Sequence, residues 1–328
     1  MKNRSMLQHI LLFAAFSLAL SLTGCYSGAA TAGSKGAING AEPRDARPEA
    51  VKEESPNQSS LPNAQRLVTE YNNRNFGSPG WRTVYLELVT DGSVTRTFTV
   101  INLWKKVGRE TKTLFLLREP RGLSGTNYLL QEDSPDSKAS DMKVYLFLPS
   151  GQRQVLEIAP SNFNEGLLGS DFTYTDLRMK LPVRDYSYRV IREAVLHNEP
   201  VWVLEAEPVS EAARRATSWA VAHFYLARNF QFMLGADYYA SPEDVADSSR
   251  ASKRMRVEKF EQREGVWTAT RMNMFGPANR YSVLSLQDAR FAVSDIDSAM
   301  FLASSLPSLA DRIHQGWSPA TSAKPPVR

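Results

Sequence analysis

The chain has 328 residues, 42% of them hydrophobic and 23% charged, with 39 basic against 35 acidic side chains and a single cysteine. Removing Lys2 and Arg4, which belong to an export signal, leaves 37 basic against 35 acidic residues, a balance with no electrostatic case for nucleic acid. One cysteine excludes an internal disulfide and a thiolate metal site, and the length suffices for one large β domain or two small ones.

Residues 1–24 read as a lipoprotein signal peptide. Lys2 and Arg4 precede an apolar run from Ile10 to Leu22, too short for a permanent span, which ends in Leu22-Thr23-Gly24-Cys25. Cys25 is the expected lipidation site, left by cleavage as an acylated first residue, and each buried methylene of its acyl chains adds about 0.8 kcal/mol of membrane affinity. A secretory signal with an incidental cysteine is the alternative. Tyr26 stands where an aspartate would favour retention in the inner membrane, so the expected location is the periplasmic face of the outer membrane. Residues 25–62, rich in Gly, Ala, Ser, Pro, Lys and Glu, are expected to form a disordered tether. The folded domain is expected over 63–314, and a disordered tail with Pro319, Pro325 and Pro326 over 315–328.

The domain opens with a helical pattern, Ala64 to Asn75, carrying Leu67, Val68 and Tyr71. Strands are predicted over 81–89, 94–104, 113–117, 128–131 and 143–148, and then over 186–196, 200–207, 219–226, 230–239, 254–263, 266–275 and 281–286. Asp91-Gly92 and Glu264-Gly265 are hairpin cues, with His197-Asn198 a weaker one. Short helices are expected at Asp176 to Met179, within Ser241 to Ala246, and at Ser298 to Ser305. About a dozen strands joined by short turns predict a mainly β fold, an antiparallel meander that curls or closes.

Two strands are apolar on both faces. Phe98, Val100 and Trp104 oppose Thr95, Thr97, Thr99, Ile101 and Leu103, while Met272 and Met274 oppose Trp267, Ala269 and Phe275. Such strands need cover on both sides, from a lid helix, from bound lipid or from ordinary sandwich packing. Arg250, Lys253, Arg254 and Arg256 form the densest basic cluster, suited either to lipid phosphates or to keeping a strand edge soluble. Enzyme signatures are absent: there is no G-x-S-x-G elbow, Walker loop or dinucleotide glycine pattern. His197, His223 and His314 lack metal-site spacing, and Asp295 with Asp297 is only a fragment of a calcium loop. No cofactor, metal or catalytic residue is expected.

The stretch from Val144 to Leu177 carries a further signal. A strand ending in Leu148-Pro149 leads to Gly169, Ser170, Asp171, Phe172, Tyr174, Asp176 and Leu177, and this G-S-D-F-x-Y-x-D-L pattern resembles the outer-membrane lipoprotein-sorting, LolA-like family. The Pro120 to Thr126 turn with Tyr128 to Leu130, and the Pro200 to Pro208 strand, resemble its flanking elements. The resemblance, over residues 63 to 310, implies a strongly curved antiparallel half-barrel of about eleven strands with helices covering its concave face. Relatives of this fold take acyl chains there, and a membrane-anchored acceptor of the same fold uses an exposed loop leucine, for which Leu168 is the analogue unless the turn buries both Leu167 and Leu168. Locally, Gly169-Ser170-Asp171 suits a tight turn, and Asp171 or Asp176 suits a cap at a helix start.

The leading expectation is non-enzymatic binding and transfer of lipoprotein acyl chains or lipids. Expected lipid-binding residues are Leu103, Trp104, Phe115, Phe147, Trp202, Phe224, Met272 and Met274, all large and in strands; each would serve equally in a sandwich core. Expected partners are the membrane, acylated cargo, and a periplasmic carrier or export-pump component. The alternatives are a lipid-sensing regulator or export-system accessory on the same fold, and a structural envelope lipoprotein with a filled core.

Overall fold

The computed structural model describes residues 51–53, 61–132 and 141–319; Cys25 and the expected signal lie outside them. In chain order the strands are β1 (Lys52–Glu53), β2 (Gly80–Thr90), β3 (Ser93–Val107), β4 (Glu110–Glu119), β5 (Asn127–Glu132), β6 (Lys143–Phe147) and β7 (Val155–Ile158). There follow β8 (Tyr186–Leu196), β9 (Glu199–Pro208), β10 (Val221–Ala227), β11 (Met233–Tyr239), β12 (Lys253–Arg263), β13 (Val266–Phe275) and β14 (Arg280–Arg290). The helices are α1 (Ala64–Asn72), α2 (Glu211–Thr217) and α3 (Leu306–His314).

All the described strands join one antiparallel sheet in the order β1-β8-β9-β10-β11-β12-β13-β14-β2-β3-β4-β5-β6-β7, which is not closed into a barrel. The three hairpin cues hold for the reason that suggested them. Asp91 and Gly92, His197 and Asn198, and Glu264 and Gly265 all have positive φ, the backbone that a two-residue hairpin demands.

The sheet curls about one apolar cluster. Leu86, Phe98, Phe115, Tyr128, Val190, Leu204, Phe224 and Met274, from strands spread across the sheet order, share that cluster, so these side chains line the inner face of a strongly curved sheet. The alternate positions of β2 to β6 point outward. There Trp81, Ile101, Leu103, Leu114, Leu116, Leu129 and Phe147 are covered by Ile296, Met300, Phe301, Leu306, Leu309 and Ile313. Of the two doubly apolar strands, β3 thus obtains its outer cover from the C-terminal segment through Ile101 and Leu103, whereas Trp267 of β13 packs with Phe230 and Phe260. The segment is fastened there at two points: Asn127 Nδ2 donates to the Leu306 carbonyl of α3 at 3.0 Å, and Lys105 Nζ donates to the Ile296 carbonyl, upstream of the helix, at 2.6 Å.

The inner face is crossed by a strap. β7 and β8 follow one another in sequence but lie at opposite ends of the sheet, so residues 159–185 must travel from one end to the other. On the way the strap touches β5, β12 and β14, and it meets α1 through Asn72, whose Nδ2 donates to the Leu181 carbonyl while its Oδ1 accepts the Leu181 N–H, both at 2.8 Å.

Several expectations change. Within the expected tether, Lys52 and Glu53 pair with Val195 and Ala194 of β8. Within the expected tail, Trp317 packs on the outer cluster, with the Arg312 guanidinium 4.3 Å from its ring centre. The segment expected as a helix at 298–305 forms two short 3-10 turns, and the α-helix begins at Leu306. The basic cluster does not lie on an edge, because β12 sits between β11 and β13. Each of its cations meets a carboxylate: Arg250 with Asp244, Lys253 with Asp176, and both Arg254 and Arg256 with Asp237. Internal pairing replaces both roles foreseen for it.

Candidate functional site

Between the inner face, the strap and α1 lies a cavity of about 270 Å³. Its apolar wall is supplied by inward positions of successive strands: Val84 and Leu86 from β2, Val100 and Trp104 from β3, Phe115 from β4, Phe224 from β10 and Met272 from β13, with Leu167, Phe172 and Leu177 from the strap. Trp267 and Ala269 also line it, although strict alternation set them opposite Met272. Register shifts between Val257 and Lys259 and between Lys259 and Phe260 break the alternation of β12 against β13, and such bulges re-aim side chains. Gly80 makes room for the Trp104 indole, since a Cβ there would stand 2.4 Å from its Cζ2.

The strap is held by buried polar contacts. Asp171, 6% exposed, accepts from Ser282 Oγ at 2.8 Å and from Arg280 Nε at 2.9 Å, while its own N–H donates to Ser282 Oγ at 2.9 Å. Gly276 leaves space for that carboxylate, because a Cβ would lie 2.2 Å from Asp171 Oδ1. Asp176 accepts from the Thr173 N–H at 2.8 Å and from Lys253 Nζ. Gly166 and Thr173 form a bridge so close that a Cβ on Gly166 would collide with the Ser170 carbonyl. Gly169 takes a φ of 78°, and Tyr174 packs on Tyr128 with ring centres 6.0 Å apart. Leu167 is buried and Leu168, at φ 56°, packs against the inner cluster, so neither forms an exposed tip.

One end of the cavity is polar. Arg82 donates from Nε to Asn102 Oδ1 at 2.8 Å, and burial pulls its guanidinium down to about 10. Arg178 reaches Glu132 only at 3.8 Å, and its Nε and one terminal nitrogen are buried without a hydrogen-bond partner, as are Thr113 Oγ1 and Glu132 Oε2. Burial drives the Glu132 carboxyl up, against the opposing pull of Arg178. Lys180, 7% exposed, is pulled down by burial.

A family model of uncharacterized proteins, of the DUF1329 kind, matches residues 109–308, more than half the chain. The chain belongs to this DUF1329-like family. Its fold is similar to that of a Vibrio parahaemolyticus domain named for outer-membrane lipoprotein sorting, at TM-score 0.64 and 19% identity, over 74% of this chain and 98% of that one. It is similar also to a DUF1329 family protein from Desulfovibrio piger (TM-score 0.63, 21% identity, 74% and 96% covered) and to a LolA superfamily protein from Nitrosomonas europaea (0.53, 17%, 74% and 98%). No curated protein matches the chain by sequence.

In this DUF1329-like chain with its LolA-like fold, four of the eight side chains expected to bind lipid line one cavity: Trp104, Phe115, Phe224 and Met272. Leu103 and Phe147 do not, because they point to the outer face under the C-terminal segment. Met274 is fully buried in the inner cluster away from the cavity wall, and Trp202 lines a separate groove beside α1, under the Arg228 guanidinium. The polar end went unread in the sequence. Its readable sign was Asn102, a polar residue at an inward position between Val100 and Trp104; Arg178 and Lys180 lie in irregular strap that carries no periodic signal.

Proposed function

We propose that the protein is a non-enzymatic acyl-chain carrier or acceptor of the cell envelope. In this reading residues 1–24 are removed, Cys25 is acylated and holds the protein at the periplasmic face of the outer membrane, and the segment up to residue 62 spaces the domain from the bilayer. The cargo is a lipid or the acylated end of a lipoprotein, delivered by a periplasmic carrier or by an export-pump component. The observation that carries the reading is the apolar hollow on the inner face of a LolA-like sheet, covered by α1 and the strap. Transfer needs no bond chemistry. An acyl chain leaving water or a donor gains roughly 25 cal/mol per Å² of apolar surface buried, against the cost of parting the strap from the sheet.

Native mass spectrometry of the full chain carrying Cys25→Ser tests it. Retained lipid mass that disappears in a folded Met272→Asp variant is the expected result. An apo mass unchanged after acylated peptides and lipids are offered overturns the reading. The anchor is tested separately, by labelled palmitate that enters the wild-type chain and not Cys25→Ser.

A further inference from the structure

We propose that the polar end of the cavity is an anion site, so that the preferred cargo is a single-chain amphiphile with a carboxylate or phosphate head. This rests on the acyl-binding reading above and adds the head that the site selects. Four cations line the cavity, Arg74, Arg82 on β2, and Arg178 and Lys180 on the strap, and of these Arg74 is engaged by the Tyr71 carbonyl and ring. Among the described residues Arg82 has no carboxylate partner, and its one side-chain hydrogen bond is to neutral Asn102. Arg178, whose side chain is 7% exposed, has two buried nitrogens without hydrogen-bond partners. Glu132 is the carboxylate nearest to it, and at 3.8 Å it does not reach hydrogen-bonding distance.

Buried donors are nearly always satisfied, and leaving a charged one unpaired costs more than leaving a neutral one. A guanidinium with open donors matches a carboxylate or phosphate in a two-point geometry that no hydroxyl reproduces. Thr113 Oγ1, also unpartnered, adds a neutral hydroxyl to the same wall. The apolar wall continues from this end through Trp104 and Phe115, so head and tail of one molecule find suited surfaces in one cavity. At about 270 Å³ the space suits one chain better than the several chains of a fully acylated lipoprotein end.

The test uses the full chain carrying Cys25→Ser, delipidated, titrated with hexadecanoate, hexadecyl phosphate and hexadecanol, which share a tail and differ in the head. Both anions are expected to bind at least about tenfold more tightly than the alcohol, the scale of one charge-assisted hydrogen bond. Arg178→Gln and Arg82→Gln should each reduce that preference while leaving hexadecanol affinity in place. Glu132→Gln should strengthen anion binding severalfold, a gain that misfolding does not imitate. A preference for one anion over the other identifies the head and supports the site. Hexadecanol binding as tightly as the anions overturns the anion site and leaves the acyl-binding reading standing; binding by none of the three overturns both.

Discussion

Asp171 shows how one side chain fixes the cover of the cavity. Its carboxylate is buried against Ser282 and Arg280, and Gly276 supplies the space it occupies. Asp171→Ala is expected to cost about 1–3 kcal/mol, since Ser282 and the Arg280 Nε lose an acceptor. Gly276→Ala should cost a similar amount through overpacking, and much less when combined with Asp171→Ala, because the atom it strikes is gone. Urea denaturation of the two single variants and the double variant measures that coupling. A second carboxylate, Glu205 on β9, is held below its ordinary 4.5, first by its hydrogen bond with His223 at 3.2 Å and then by Arg189. A depressed carboxyl contributes stability that is present above its unfolded value and lost as pH falls through the folded one. Glu205→Gln should therefore be less stable than wild type at neutral pH, with a shallower loss below about pH 4.5, read from denaturation midpoints over a pH series.

At the scale of elements, the sequence showed strands more clearly than covers. Turn residues with positive φ and alternating side chains are local signals, so β8 and β13 were predicted with their observed bounds and the hairpin joining β2 to β3 was legible in Asp91-Gly92. Alternation also separated Trp104 from Leu103. It could not say which set faced the hollow, because that depends on the sense in which the whole sheet curls. α3 was missed because its nine residues follow two 3-10 turns and gain their order from the outer face they cover. β7 was missed because its residues are half exposed or exposed, and β1 because two charged residues carry no pattern. Among the covers, α1 and the strap are joined through Asn72 alone in the side-chain hydrogen bonds between them among the described residues. Asn72→Ala leaves the Leu181 N–H and carbonyl unpaired and is expected to cost about 1–3 kcal/mol. Hydrogen exchange around Leu181 should rise more than exchange in β4 or β5, and bound lipid should leave faster; uniform acceleration throughout the sheet would mean that the contact serves the whole fold rather than the cover.

For the molecule as a whole, the curved sheet keeps its two apolar faces for different tasks. The outer face of β2 to β6 is covered by the C-terminal segment, whereas the inner face keeps a hollow. Phe301, fully buried on the outer side, should cost about 3–5 kcal/mol when replaced by alanine, with lipid affinity of the remaining folded protein unchanged. Met272→Ala should show the reverse emphasis, a smaller loss of stability and weaker lipid binding, and thermal melts with lipid titrations on both variants separate the two faces. The strap that crosses the inner face has a mechanical consequence. Its ends are covalently continuous with strands at the two limits of the sheet, so it acts as a bowstring across an arc. A guest that pushes the string outward must draw the tips of the bow together or let one tip give. The tip beside β8 is the shorter one, held by the two-residue pairing of Lys52 and Glu53 and by Val51 packed on a small apolar cluster, and it is also where the chain leads back toward its N-terminus. Loading is therefore expected to loosen β1 first, a change that amide exchange at Lys52 and Glu53 would register as tension passed from cargo to leash.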